Sequence, residues 1–203
     1  MKKTIILSFL LITSLLGLAQ VKLETLVKPG TKLVYAVEAQ GKKYDFIVTV
    51  KTLSPLVFDW QMTDPVNTSG TIIHTAKAMA SANTMYNFFS PGAKKLDDKT
   101  ISVWLSKNTF AGVMKAGKGT MMKMNVGAEP KKMGTYTGAL PLEILVDGQT
   151  KTVDEELVKE LSDGGVPADN DDDFFTVYGS AKLPIILRMQ NGFYIGLKEI
   201  KTK

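Results

Sequence analysis

The stretch from Leu183 to Ile200 constrains the fold of this chain more than any other. Two β-rich runs flank Asn191-Gly192: Leu183-Pro184-Ile185-Ile186-Leu187-Arg188-Met189-Gln190 before it and Phe193-Tyr194-Ile195-Gly196-Leu197-Lys198-Glu199-Ile200 after it. Asn-Gly is the pair best able to hold φ > 0 at both positions of a type I′ turn, whose twist matches that of paired strands. The signal predicts a two-residue hairpin with Gln190 opposite Phe193, Arg188 opposite Ile195 and Ile186 opposite Leu197. Both faces of this hairpin are largely apolar. It therefore belongs inside a sheet covered on both sides, with earlier strands packed around it.

Those earlier strands are visible as period-two alternation. Leu33, Tyr35 and Val37 share one face of 31–39, and Gln40-Gly41-Lys42-Lys43 reads as a turn. Tyr44, Phe46, Val48 and Val50 share one face of 44–53, and Ser54-Pro55 breaks the run. Leu56, Phe58, Trp60 and Met62 then share one face of 56–62. Three such segments joined by short turns predict an antiparallel meander. Asp147-Gly148 signals a second hairpin, with Val146 opposite Gln149 and Ile144 opposite Lys151. Ser106 is placed to cap a short helical turn that runs toward Met114. From Asp154 the period changes: Val153, Leu157, Val158 and Leu161 fall on one helical stripe, so 153–161 reads as an amphipathic helix. The expected fold is mainly β: a curved antiparallel sheet forming a barrel or half-barrel with one short amphipathic helix, or alternatively a β-sandwich.

The N-terminus carries an address. Met1-Lys2-Lys3, an apolar run from Ile5 to Leu18, and Gly17 and Ala19 at positions −3 and −1 form a secretory signal peptide. The run is shorter than the ~20 residues of a membrane span and contains Ser8, Thr13 and Ser14, so cleavage is expected rather than anchoring. The chain divides into a signal peptide at 1–19 and a single β-rich domain at 20–203, periplasmic or secreted. No integral membrane segment is expected after processing. The formal charge of +5 falls to +3 once Lys2 and Lys3 are removed. That excess is scattered and weak, and excludes a nucleic-acid partner. No cysteine is available for a disulfide, so stability has to come from the core.

Few residues suggest chemistry. His74 is the only histidine and has no cysteine to help it hold a metal, so it reads as a partly exposed or hydrogen-bonded strand residue. No Gly-x-Ser-x-Gly or Ser-x-x-Lys motif is present, and the chain reads as a non-enzyme. No cofactor is expected beyond weak calcium. Asp169, Asp171 and Asp173 place carboxylates at alternate positions, as calcium loops do, yet Phe174 stands where such a loop needs glycine. Met121, Met122 and Met124 suit core packing better than a soft metal. Arg188 is the only arginine. It reads as half of a buried ion pair, with Asp59 as the partner to test, or as the recognition point for an anionic head group in a cavity.

Gly30-Thr31-x-x-x-Tyr35 ahead of the meander, with Pro184-Ile185-Ile186-Leu187 and the closing Leu197-Lys198-Glu199-Ile200, resembles a group of uncharacterised exported β-proteins of Gram-negative bacteria. These are similar in outline to the periplasmic lipoprotein-carrier fold. The resemblance implies a half-barrel with helical cover and assigns no functional residue. Two functions fit the sequence. One is a secreted or periplasmic binding or carrier protein that holds an apolar or amphipathic, lipid-like small molecule against Tyr35, Phe46, Phe58, Trp60 and Arg188. The other is a non-enzymatic structural or interaction domain of the cell envelope, whose inner face is packed core. A hollow in the ~300–1,000 Å³ range of ligand pockets separates them.

Overall fold

In the computed structural model, which describes residues 20–64, 68–168 and 173–202, the chain opens with α1 (Leu23–Leu26), β1 (Lys32–Ala39) and β2 (Lys42–Leu53). Gln40 and Gly41 take φ of 51° and 74°, and this tight turn pairs Ala39 with Lys42 and Tyr35 with Phe46. The meander continues through β3 (Leu56–Met62) and β4 (Thr68–Ile73), with Val48 opposite Trp60 and Phe58 opposite Ile72. Its alternation sets its packing: Phe46, Val48, Val50, Leu56, Phe58 and Trp60 are all buried in one core.

The middle of the chain is α2 (Ala76–Ser81), β5 (Thr84–Met85), β6 (Gly92–Lys95), β7 (Thr100–Ile101) and α3 (Lys107–Val113). Thr75 and Ser106 cap the two helices, each accepting a backbone N–H three residues on. Ala78, Phe110 and Val113 join the same core as the sheet. β6 lies parallel along β4, while β5 and β7 form a separate two-stranded ladder.

The rest is β8 (Thr120–Met122), β9 (Lys131–Thr135), β10 (Leu140–Val146), β11 (Gln149–Glu160), β12 (Phe174–Tyr178), β13 (Ile186–Gln190) and β14 (Tyr194–Lys201). One twelve-stranded sheet runs β6-β4-β3-β2-β1-β14-β13-β12-β11-β9-β8, and β10 pairs both β11 and β14. That double pairing closes β10 to β14 into a five-stranded barrel and leaves the other seven described strands of this sheet outside it. The fold is mainly β, with few helices, as the alternation predicts. A sandwich would need two facing sheets, whereas these twelve strands share one ladder. Asp147 and Gly148 take φ of 49° and 81° and give the predicted hairpin, Val146 opposite Gln149 and Ile144 opposite Lys151. Among the described residues, no helix is long and apolar enough to cross a membrane.

Two expectations are corrected. Residues 153–160 are not a helix but belong to the long strand β11, with Leu161 in a β-bridge beyond it. Along one edge β11 pairs β12, and it also pairs β10 at 149–155 and β9 at 158–160. Val153 and Glu155 are buried where β10 is the partner, and Val158 where β9 is. The buried side changes with the partner, and that change imitates a helical stripe. Long-range pairing here overrides local propensity.

The closing hairpin is the second correction. Gly192 has φ 68° but Asn191 does not have positive φ, and Asn191 N donates to Phe193 O at 3.0 Å. The loop holds three residues, so Gln190 faces Tyr194, Met189 faces Ile195 and Arg188 faces Gly196. Phe193 leaves the ladder and joins the wall of a cavity instead. The hairpin does lie inside the sheet: β14 is flanked by β1 on one edge and by β13 and β10 on the other.

Candidate ligand cavity

The inner faces of the meander and the closing hairpin do not meet everywhere. Between them lies a half-open cavity of about 370 Å³. β1 and β2 contribute Tyr35, Val37, Tyr44 and Phe46, while β13 and β14 contribute Leu187, Met189 and Ile195. Strand alternation puts these residues on one face, because Tyr35 pairs with Phe46 and Met189 with Ile195. The irregular segment after β5 closes the top with Asn87, Phe88 and Phe89. Phe89 is anchored by Phe46 at 4.5 Å, Trp60 at 5.3 Å and Tyr86 at 5.7 Å between ring centroids. Phe88, its neighbour, is 63% exposed, an unusual position for a large aromatic and one that puts an apolar lip at the mouth.

Among the described residues, no Asp, Glu, Lys, Arg or His lines the cavity. The Tyr35 hydroxyl is buried and donates to Ile186 O at 3.0 Å; burial raises its pKa and keeps it a neutral donor. Burial, with help from Asp64, raises the Tyr44 pKa as well. The Val103 wall is conformationally costly. Val103 has φ 65°, where a β-branched side chain crowds its own backbone at a cost of about 1–3 kcal/mol. Its neighbours hold it there: Ile186 N donates to Val103 O at 2.8 Å, Leu105 N to Pro184 O at 2.8 Å, and Ser102 Oγ to Tyr86 O at 2.8 Å. Ser102 N donates to Nε2 of buried His74 at 3.1 Å, while His74 Nδ1 lies 3.1 Å from Leu56 O. His74 thus tethers the segment behind the cavity wall to β3 as a hydrogen-bonded core residue.

The predicted ligand contacts divide three ways. Tyr35 and Phe46 line the cavity. Phe58 and Trp60 lie behind the wall: Phe58 is fully buried, stacked on Trp104 at 6.0 Å, and Trp60 backs Phe89. Arg188 is on the opposite face of β13 from Met189. Its Nε donates to Glu155 Oε2 at 2.9 Å and its Nη2 to Glu155 Oε1. The ion-pair partner is therefore Glu155, not Asp59, which accepts from Thr71 Oγ1 at 2.8 Å and lies 3.1 Å from Lys51 Nζ. Glu155 had been hidden inside the expected helix.

Of the calcium ligands suggested by the sequence, Asp169 and Asp171 lie outside the described residues. Asp173 Oδ2 is 3.3 Å from Lys131 Nζ, which also meets Glu160 at 2.9 Å. Met122 and Met124 are buried in the core, and Met121 is half exposed. Sequence reasoning missed Asn87, Phe88, Phe89, Val103 and Asn191 as cavity residues. Only Phe88-Phe89 carried a signal: two adjacent aromatics just before Ser90-Pro91, where a turn rather than a core is expected. Compared with family models, curated proteins and solved structures, the chain matches none.

Proposed function

We propose that this protein is exported to the periplasm or beyond and there binds or carries an apolar or amphipathic small molecule. The observation that carries this reading is the half-open cavity of about 370 Å³, lined by Tyr35, Val37, Phe46, Met189 and Ile195. A domain whose inner face is only packed core closes such a hollow, because an unfilled apolar cavity forfeits dispersion contacts. This one lies within the ~300–1,000 Å³ range of ligand sites and is walled mainly by apolar side chains with a few polar groups, the usual composition of a small-molecule pocket. The export half of the reading rests on the leader-like sequence of 1–19.

Native mass spectrometry of protein purified from its own envelope tests the proposal. The expected spectrum shows an adduct that organic extraction removes. Ile195→Trp, which fills the hollow from β14, is expected to abolish the adduct without lowering the melting temperature. Protein that carries no adduct, and that takes up no apolar fluorescent probe, removes the reading.

A further inference from the structure

The polar edge of the cavity narrows the class of molecule it takes; this step rests on the carrier reading above. Two asparagines line the wall from different parts of the chain, Asn87 from the segment after β5 and Asn191 from the β13–β14 loop. Both donate an amide N–H to the same backbone oxygen, Met124 O, at 2.7 and 3.3 Å. Asn87 Nδ2 also lies 3.7 Å from Met189 Sδ. A backbone carbonyl only accepts, so both amide nitrogens must face it, and the orientation of both side chains follows from chemistry. Each Oδ1 is then left with no donor among the described residues. Asn125, also on the wall, differs: its Oδ1 accepts from Val126 N at 2.8 Å.

Two asparagines of the wall thus keep an acceptor with no protein donor, and no described residue of the wall carries a charge. A carboxylate placed here would lose water and meet two carbonyl dipoles of the wrong sign. An ammonium would be desolvated with no carboxylate to meet it. A hydroxyl loses little, and its one O–H satisfies one of the two acceptors. We propose that the cavity takes an uncharged amphipath whose head group donates hydrogen bonds, of the long-chain alcohol class. The head meets Asn87 and Asn191, and the tail lies on Tyr35, Phe46 and Ile195. At ~30 Å³ for each water-sized group, the volume holds about a dozen non-hydrogen atoms, which sets the chain length of the probe.

The test is displacement of phenylnaphthylamine, an uncharged fluorescent dye, from the purified protein by four ligands with the same tail: decanol, decyl methyl ether, decanoate and decylammonium at pH 8. Decanol is expected to displace best. The ether accepts but cannot donate, leaves both acceptors unpaired, and is expected to bind about tenfold more weakly. The two ions are expected to be weaker still. Asn87→Leu and Asn191→Ala should each narrow the gap between alcohol and ether, and the double variant should close it. Decanoate matching decanol, or an alcohol preference unchanged in both variants, overturns this assignment and leaves the carrier reading standing. Failure of the wild-type protein to take up the dye or any of the four ligands overturns both.

Discussion

His74 makes the stability of this protein depend on pH in a calculable way. Its two ring nitrogens have opposite duties. Nε2 accepts from Ser102 N at 3.1 Å, so it carries no proton, and Nδ1 faces Leu56 O at 3.1 Å, so it does. A second proton on Nε2 would confront the Ser102 N–H. The side chain is also 1% exposed. Burial pushes its pKa down to about 4, against about 6.5 in an unfolded chain. As pH falls through 6.5 the unfolded state takes the proton first, so stability falls with pH. The loss levels off below about pH 4, where the folded state takes the proton too. A gap of about 2.5 pH units, at about 1.4 kcal/mol each, comes to about 3.5 kcal/mol in full, of which about 3 kcal/mol is lost by pH 4, where the folded state is half protonated. Urea melts from pH 7.5 to pH 4 measure it, with His74→Gln as the reference that cannot charge. Subtracting the variant removes the carboxylates, among them Asp97 and Asp98, whose pKa values hydrogen bonds lower. The wild-type curve should fall about 3 kcal/mol further than the variant's over this range. Parallel curves, or an imidazole resonance that titrates near 6.5 in the folded protein, would refute the reasoning.

Two further outcomes follow from packing. Arg188→Met strands the buried Glu155 carboxylate and is expected to cost about 3–5 kcal/mol, whereas adding Glu155→Leu recovers most of that or more. Denaturant melts of the single and double variants decide this, and a stable Arg188→Met single variant contradicts it. Gly70→Ala is expected to destabilise by about 1–3 kcal/mol, because a Cβ there would lie 2.2 Å from the backbone oxygen of Gly92. A melting temperature equal to wild type would show that β6 yields without cost.

What was legible in the sequence is what local chemistry decides. Asp147-Gly148 specifies its turn outright, so the register of β10–β11 follows from two residues, whereas the turn expected over 40–43 is confined to Gln40 and Gly41, and Lys42 and Lys43 already pair with Ala39 and Glu38. Ser106 caps α3 as its position suggests. What was not legible depends on distant partners. The strand conformation of Val153 to Glu160 depends on β9, β10 and β12, which lie on both sides of it in sequence, and no window of the chain contains them all. The cavity suffers more. Tyr35 and Phe46 could be proposed because alternation puts them on one face. Asn87 and Asn191 are about a hundred residues apart and meet only through Met124 O.

The three-residue loop at Asn191 links both halves of the molecule, because β13 serves two sites at once. Met189 faces the cavity, and Arg188, its neighbour, faces the other way toward Glu155, as strand alternation requires. Which residues of β14 stand beside each is a matter of register alone. With a two-residue loop, Ile195 would stand opposite Arg188, and an apolar branched side chain would press on the ion pair. With the third loop residue, Ile195 moves opposite Met189 and completes the apolar wall, while Gly196 stands opposite Arg188. A Cβ on Gly196 would lie 2.6 Å from the Tyr194 hydroxyl, the tip of a side chain that would have to turn aside. A one-residue slip exchanges every side chain between faces, so the face that carries the Arg188–Glu155 pair and the uncharged cavity specify the same register from opposite sides. Phe193, the residue that the longer loop takes out of the ladder, becomes part of the cavity wall.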